Sequence, residues 1–145
     1  MINKFRGEYN WLSNMYKCEI LFEHHPFKSV ENAYMAAKNP QDREWFQFCL
    51  DNPPNIVKKE SKNIKLRDDW EDVKLGIMYE CLKQKFIQEP LRSKLLATGN
   101  ENIVEGNYWN DTFWGVDLKQ DPNVGENHLG RLIMYIRIQL KNGKL

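Results

Sequence analysis

SVENAYMAAKN, residues 29–39, reads as a helix and sets a puzzle about its faces. At about 100° per residue, Val30, Ala33, Tyr34, Met35 and Ala37 fall on one broad stripe, with Asn32, Ala36 and Asn39 opposite. Ser29 supplies an N-cap, and neither Gly nor Pro interrupts the segment before Pro40. Glu31 lies in the first turn, where a carboxylate suits the helix dipole. Glu31 and Lys38 nevertheless land inside the apolar stripe, two turns apart and pointing nearly the same way, not beside the asparagines. Two readings stand. The stripe is wide and carries two snorkelling charges at its margin, or the helix forms one wall of a cleft.

Outward from this helix the chain alternates short apolar runs with turn signals. YKCEILFEHHPF (16–27) reads as one or two short strands with a turn at His-His-Pro. A second helix spans Asp42 to Leu50, with Trp45, Phe46 and Cys49 on one face, and stops at Asn52, Pro53 and Pro54; Pro54 then opens a short helix through Ser61. Val73, Ile77, Met78, Cys81, Leu82 and Phe86 recur at helical spacing, which predicts a long core helix from Asp68 to Gln88. Pro90 starts another helix through Ala97, and NIVE (102–105) is a strand candidate. A last helix begins near Asn127, buries Leu129, Leu132, Ile133, Ile136 and Leu140, and ends at Asn142 and Gly143.

Composition bounds the function classes. A chain of 145 residues, 41% hydrophobic, fits one domain over 1–145. Lys+Arg and Asp+Glu number 21 and 20, so no global basic field points to nucleic acid or an anionic membrane. The first residues, MINKFRGEYNWLSN, lack an apolar signal core and no stretch approaches a membrane span, so a soluble, cytoplasmic protein is expected, with no membrane partner. Cys18, Cys49 and Cys81 are odd in number and widely spaced, which argues for reduced, buried thiols. His24, His25 and His128 lack metal-ligand spacing. Neither a metal nor a cofactor is expected.

The one long irregular stretch, GNYWNDTFWGVDLKQDPNVGE (106–126), holds Trp109, Phe113 and Trp114 among Asn, Asp and Gly. Such a loop can stack a planar base, or it can be a packed surface loop that uses Trp as a plug. Taken in order, LSN (12–14), SVENAYMAAK (29–38), LRDDWEDVKLGIMYECLKQKF (66–86), LLATG (95–99), IVEGNYWNDTFWG (103–115) and GENHLGRLIMYIR (125–137) make the chain resemble the YbiA-like N-glycosidase family, also called the NADAR domain. The likeness covers nearly the whole chain.

That resemblance implies an α+β fold, a mainly helical single domain with a few short strands, and cleavage of an N-glycosidic bond. The substrates it implies are small ribosyl-phosphate conjugates: ribosylaminopyrimidine phosphates of riboflavin synthesis or ADP-ribosylated guanine, the latter admitting ADP-ribosylated nucleic acid as a partner. A non-catalytic module that binds ADP-ribose or NAD is the alternative. Carried over by motif, Glu31, Lys38 and Asp111 are the implied catalytic residues. Tyr34, Trp70, Trp114, Gly115, Asn127 and Gly130 are the implied substrate-binding residues. Where the family commonly has His and Gln after the glutamate this chain has Asn32 and Met35, and Asp117 stands where the family loop has Gly.

Two routes are open to these side chains. Glu31 can protonate the departing base or activate water, or a deprotonated Lys38 can attack the anomeric carbon and form an imine. Lys38 as a point charge that pairs with Glu31 or holds a phosphate is the plainer alternative. Asp111 can hold ribose hydroxyls or stabilise a turn. Asn127 can precede a phosphate-binding helix N-terminus or act as an ordinary N-cap.

Overall fold

A computed structural model describes residues 1–145. The fold is α+β and mainly helical, with six α-helices and four short strands. The chain forms two compact units, one of residues 14–85 and one of residues 1–13 with 86–145.

Within residues 14–85, β1 (Ile20–Phe22) and β2 (His25–Phe27) make an antiparallel hairpin in which Ile20 faces Phe27. Its turn residues are Glu23 and His24, with φ of 48° and 65°. Left-handed backbone at both positions is what a two-residue hairpin turn with the right twist requires. The turn therefore lies one residue earlier than His-His-Pro suggested, and Pro26 is a strand residue. Three helices follow: α1 (Val30–Ala37), α2 (Arg43–Asp51) and α3 (Pro54–Glu60), all within a residue or two of expectation. Asp42 caps α2 by accepting from the Trp45 amide at 3.1 Å, and Pro54 opens α3. The core of this unit is built from Ile20, Phe27, the whole of α1, Trp45, Phe46, Cys49 and Val57.

The long helix α4 spans Trp70–Phe86. Met78, Cys81, Leu82 and Phe86 are buried on it as the periodicity implied, and so is Lys85, with no exposed surface. Positions 78, 81, 82 and 85 share one face of a 3.6-residue helix, so Lys85 is carried into the core by its register. Burial brings its ammonium down to about 7, with the Cys18 thiol opposing. All three cysteines are free; Cys49 and Cys81 are buried as expected, and Cys18 only in part. Burial drives the Cys49 and Cys81 thiols up to about 12.

In the other unit, α5 (Leu91–Ala97) packs on α6 (His128–Lys141). Leu91, Leu95, Leu129, Ile133, Ile136 and Leu140 fill the core with Trp11, Leu12 and Ile103. Arg137 is buried among them because its guanidinium donates to Thr98 Oγ1 and to the Glu101 carbonyl, both at 2.8 Å. The expected strand at 102–105 is only a single parallel bridge between Ile2 and Ile103. The true strand begins just beyond it: β3 (Gly106–Asn107) pairs in parallel with β4 (Val116–Asp117). The stretch read as wholly irregular therefore contains a two-rung sheet. No helix is long and apolar enough to cross a membrane.

Candidate functional site

The first group of site residues is set by α1. The Ser29 hydroxyl caps the helix by accepting from the Asn32 amide at 3.1 Å, as the sequence implied. The two-faced reading of the helix does not hold, because all eight residues of α1 are buried. Asn32, assigned to the polar side, has no exposed surface; its side-chain amide donates to the carbonyls of Cys49 at 2.9 Å and Asn52 at 2.8 Å. Asn32 thus ties α1 to the end of α2, and a buried amide is tolerated because its donors are satisfied. Trp45 adds a second tie, donating from Nε1 to the Met35 carbonyl at 2.8 Å.

On this rigid helix Glu31 is 7% exposed, and its amide donates to the Asn14 carbonyl at 2.9 Å. Lys38 closes the C-terminal end, and its carbonyl accepts from the Arg67 amide at 2.7 Å. That bond places the 67–70 segment beside the helix end. The Lys38 ammonium lies 5.9 Å from the Tyr34 ring centroid, and Tyr34 meets the Trp70 ring at 5.0 Å with a 55° tilt. Glu31, Tyr34, Lys38 and Trp70 therefore form one cluster within residues 14–85. Burial pulls the Lys38 ammonium below its ordinary value; Glu31 works against that, Lys58 adds to it, Cys49 opposes, and Lys74 adds a further small push. Lys58 and Lys74 were not singled out in the sequence. Only their positions, one turn into α3 and one turn beyond Trp70, would have marked them.

The remaining site residues gather in the other unit. Asp111 Oδ1 accepts from the amides of Phe113 at 3.1 Å and Trp114 at 2.9 Å, an Asx turn that employs its carboxylate in shaping the loop. The turn is held by Asn107, a fully buried residue that sequence reasoning missed. Its Oδ1 accepts from the Asp111 amide at 3.1 Å and its Nδ2 donates to the Asp111 carbonyl at 2.9 Å. Trp114 is half-buried, edge-on to Phe113 at 4.9 Å and to His128 at 6.5 Å. Gly115 is buried, and a Cβ there would strike the carbonyl and carboxylate oxygens of Glu105.

Asn127 departs from both readings offered for it. Its φ is 53° and its side chain makes no cap. Instead Oδ1 accepts from the Glu105 amide and Nδ2 donates to the Ile103 carbonyl, each at 2.9 Å. The first amides of α6, His128 and Leu129, donate to the Phe113 and Trp114 carbonyls at 3.1 and 3.0 Å. Loop carbonyls thus occupy amides that a phosphate would need. Gly130 makes room for the arrangement, since a Cβ there would meet the Ile103 carbonyl and the Asn127 side chain.

The chain matches the family profile described as NADAR domain over residues 3–141. It is 29% identical over 136 residues to a riboflavin biosynthesis protein of Vibrio vulnificus, covering 92% of this chain and 36% of that one. It is 30% identical to N-glycosidase YbiA of Shigella boydii, covering 92% of this chain and 82% of the relative. The solved NMR structure of the E. coli protein YbiA superposes with a TM-score of 0.81 at 28% identity, covering 99% of this chain and 89% of that one. The chain thus spans about a third of the Vibrio relative and most of the YbiA proteins.

Proposed function

The chain belongs to the NADAR domain family, and on that footing we propose that it is an N-glycosidase. It cleaves the C–N bond between a ribose phosphate and a nitrogenous base. The substrate we propose is a ribosylaminopyrimidine phosphate of riboflavin synthesis, a choice supported by the relative named as a riboflavin biosynthesis protein. The family profile runs through both compact units, so the working domain is proposed to be the whole of 1–145.

The observation that carries the reading is the buried helix shared by Glu31 and Lys38, in which burial favours the neutral amine of Lys38. Opening of the ribosylamine ring, with a proton taken up at the ring oxygen, gives a protonated imine between C1 and the base nitrogen, which keeps its own hydrogen. The lone pair of Lys38 Nζ adds to C1, a proton moves from Nζ to the base nitrogen by way of the Glu31 carboxylate, and the C1–base bond breaks. Water then adds to the Lys38 imine, releasing ribose phosphate and restoring the amine. Tyr34 and Trp70 wall the Lys38 end of this cluster. In the other unit Trp114 is a half-buried ring, and Asp111, Gly115, Asn127 and Gly130 shape the loop that carries it.

The test is to incubate the protein with a ribosylaminopyrimidine phosphate, NAD, ADP-ribose and ADP-ribosylated guanine nucleotide and to measure released base. Release from the first alone fits the proposal; release only from the ADP-ribosylated guanine moves the substrate to that class. Binding without release would make the protein a reader of ADP-ribose or NAD. Glu31→Gln should lower turnover by about 10²- to 10⁴-fold. Lys38→Arg keeps the charge but cannot form the imine, so it should bind and not cleave, and borohydride should fix a ribosyl adduct on Lys38 of the unaltered protein. Near-normal turnover by the arginine variant, with no adduct by mass spectrometry, would leave Glu31-assisted attack by water in its place.

A further inference from the structure

Asn14, the last residue of the LSN stretch, is tied to Glu31 by its main chain, while its side chain is only half satisfied. The Asn14 carbonyl accepts from the Glu31 amide at 2.9 Å, which fills one of the amides that a helix start leaves over. The side chain meets α4, where Nδ2 donates to Met78 Sδ at 3.6 Å. A thioether is a weak acceptor, so that bond holds the carboxamide loosely. At its other end Oδ1 is enclosed by protein, and no group donates to it.

An enclosed acceptor without a donor weakens the resting fold. Leucine has nearly the same shape and would be buried there without that cost. The asparagine is explained if its donor arrives only during the reaction. A substrate hydroxyl fits poorly, because Oδ1 is closed to solvent. Glu31 meets the requirement: it is 7% exposed, it is already bonded to residue 14 through its amide, and both lie in the 14–85 unit. As a carboxylate it has acceptor oxygens only and cannot satisfy Oδ1; with a proton it becomes an O–H donor. The transfer proposed above, from Lys38 to the base, puts a proton on that carboxyl between its two steps.

We infer that Asn14 is a positioning residue for Glu31: its side-chain oxygen accepts a hydrogen bond from the Glu31 carboxyl while that carboxyl carries the proton from Lys38 to the base. Nζ loses one proton, the carboxyl holds it, and the O–H then turns to the base nitrogen as the C1–base bond breaks. An amide oxygen is too weak a base to take the proton, so residue 14 neither gains nor loses one. The hydrogen bond given up in that turn joins two neutral groups and is readily exchanged. The inference rests on the N-glycosidase reading and on Glu31 as its relay.

The test is a double-mutant cycle on the intact chain, with Asn14→Leu, Glu31→Gln and the pair, read as kcat and KM for base release from a ribosylaminopyrimidine phosphate. Asn14→Leu keeps the main-chain carbonyl and should melt no lower than the unaltered protein; Asn14→Ala serves if the leucine variant does not fold. Its kcat should fall by about 2- to 12-fold, the contribution of one neutral hydrogen bond, with KM unchanged. In the Glu31→Gln background the same substitution should cost nothing further. A normal kcat in Asn14→Leu would overturn the inference, as would an equal loss in both backgrounds, which marks a purely structural role. Near-normal turnover by Glu31→Gln would overturn it by removing the relay. Failure of the unaltered protein to release base would instead sink the N-glycosidase reading, and the contact is then decided without turnover. The carbonyl stretch of protonated Glu31, located by infrared difference between the unaltered protein and Glu31→Gln at low pH, should move on Asn14→Leu. An unmoved band would mean that Asn14 does not receive the Glu31 proton's hydrogen bond.

Discussion

Replacing Lys85 with methionine tests how the core holds a lysine with no exposed surface. The native ammonium titrates at about 7, against an ordinary value of 10.5. Below the lower value both folded and unfolded chains carry the proton, and the full penalty of burying a charge is present. As pH rises through about 7 the native state sheds the proton while the unfolded chain keeps it. Stability must then increase, because the unfolded state binds more protons. The slope approaches about 1.4 kcal/mol per pH unit, which gives roughly 2 kcal/mol between about pH 7 and pH 9. Above about pH 9 the sign reverses for Cys49 and Cys81, whose native thiols are held up near 12 and whose unfolded thiols ionise first, at about 9.0. The useful window closes there. Lys38, also lowered, acts with the same sign as Lys85, so the quantity to read is a difference. Urea unfolding of the unaltered protein and of Lys85→Met should be measured at several pH values within the window. The unaltered protein should gain about 2 kcal/mol more than the variant across it. Parallel curves for the two proteins would mean that Lys85 keeps an ordinary affinity for its proton, and the account of its burial would be wrong.

Other outcomes follow from individual contacts. Asn32→Ala strips the side-chain donor from the carbonyls of Cys49 and Asn52, and should cost about 2–4 kcal/mol in chemical denaturation; a loss below about 0.5 kcal/mol would refute the tie. Gly130→Ala drives a Cβ into the Ile103 carbonyl and the Asn127 side chain, and should cost about 2–4 kcal/mol by thermal unfolding, whereas an unchanged melting temperature would count against the close approach. Lys58→Gln removes a positive charge that helps to lower Lys38, so the rising limb of the pH–activity profile should move to higher pH; a shift to lower pH would reverse the assigned sign.

The helices were legible because their signals are local. Ser29 and Asp42 cap, Pro54 opens a helix, and Leu129, Ile133, Ile136 and Leu140 recur at helical spacing. What stayed hidden depended on partners distant in the chain. Asn32 resembles a solvated residue until Cys49 and Asn52 are brought to it. Lys85 sits in a run, Lys83 to Lys85, with the composition of a surface helix, and only the register of α4 sends it inward. Asn127 occupies a position where an asparagine commonly caps, yet a left-handed backbone turns its side chain toward the 103–105 segment. The candidate site divides in the same way. Glu31, Tyr34 and Lys38 could be placed together from one helix, whereas Trp70 reaches Tyr34 only because Arg67 bonds the end of that helix.

The burial of α1 on every side bears on how this protein can change over generations. A helix with a wet face accepts substitutions there at little cost, and such neutral drift is how a site usually samples new neighbours. Here none of the eight positions offers that freedom, so most single changes would reduce the folded fraction before they altered selectivity. A mutant library aimed at new substrates should therefore spare the helix that bears Glu31 and be spent on positions outside it, where a change costs less of the folded fraction.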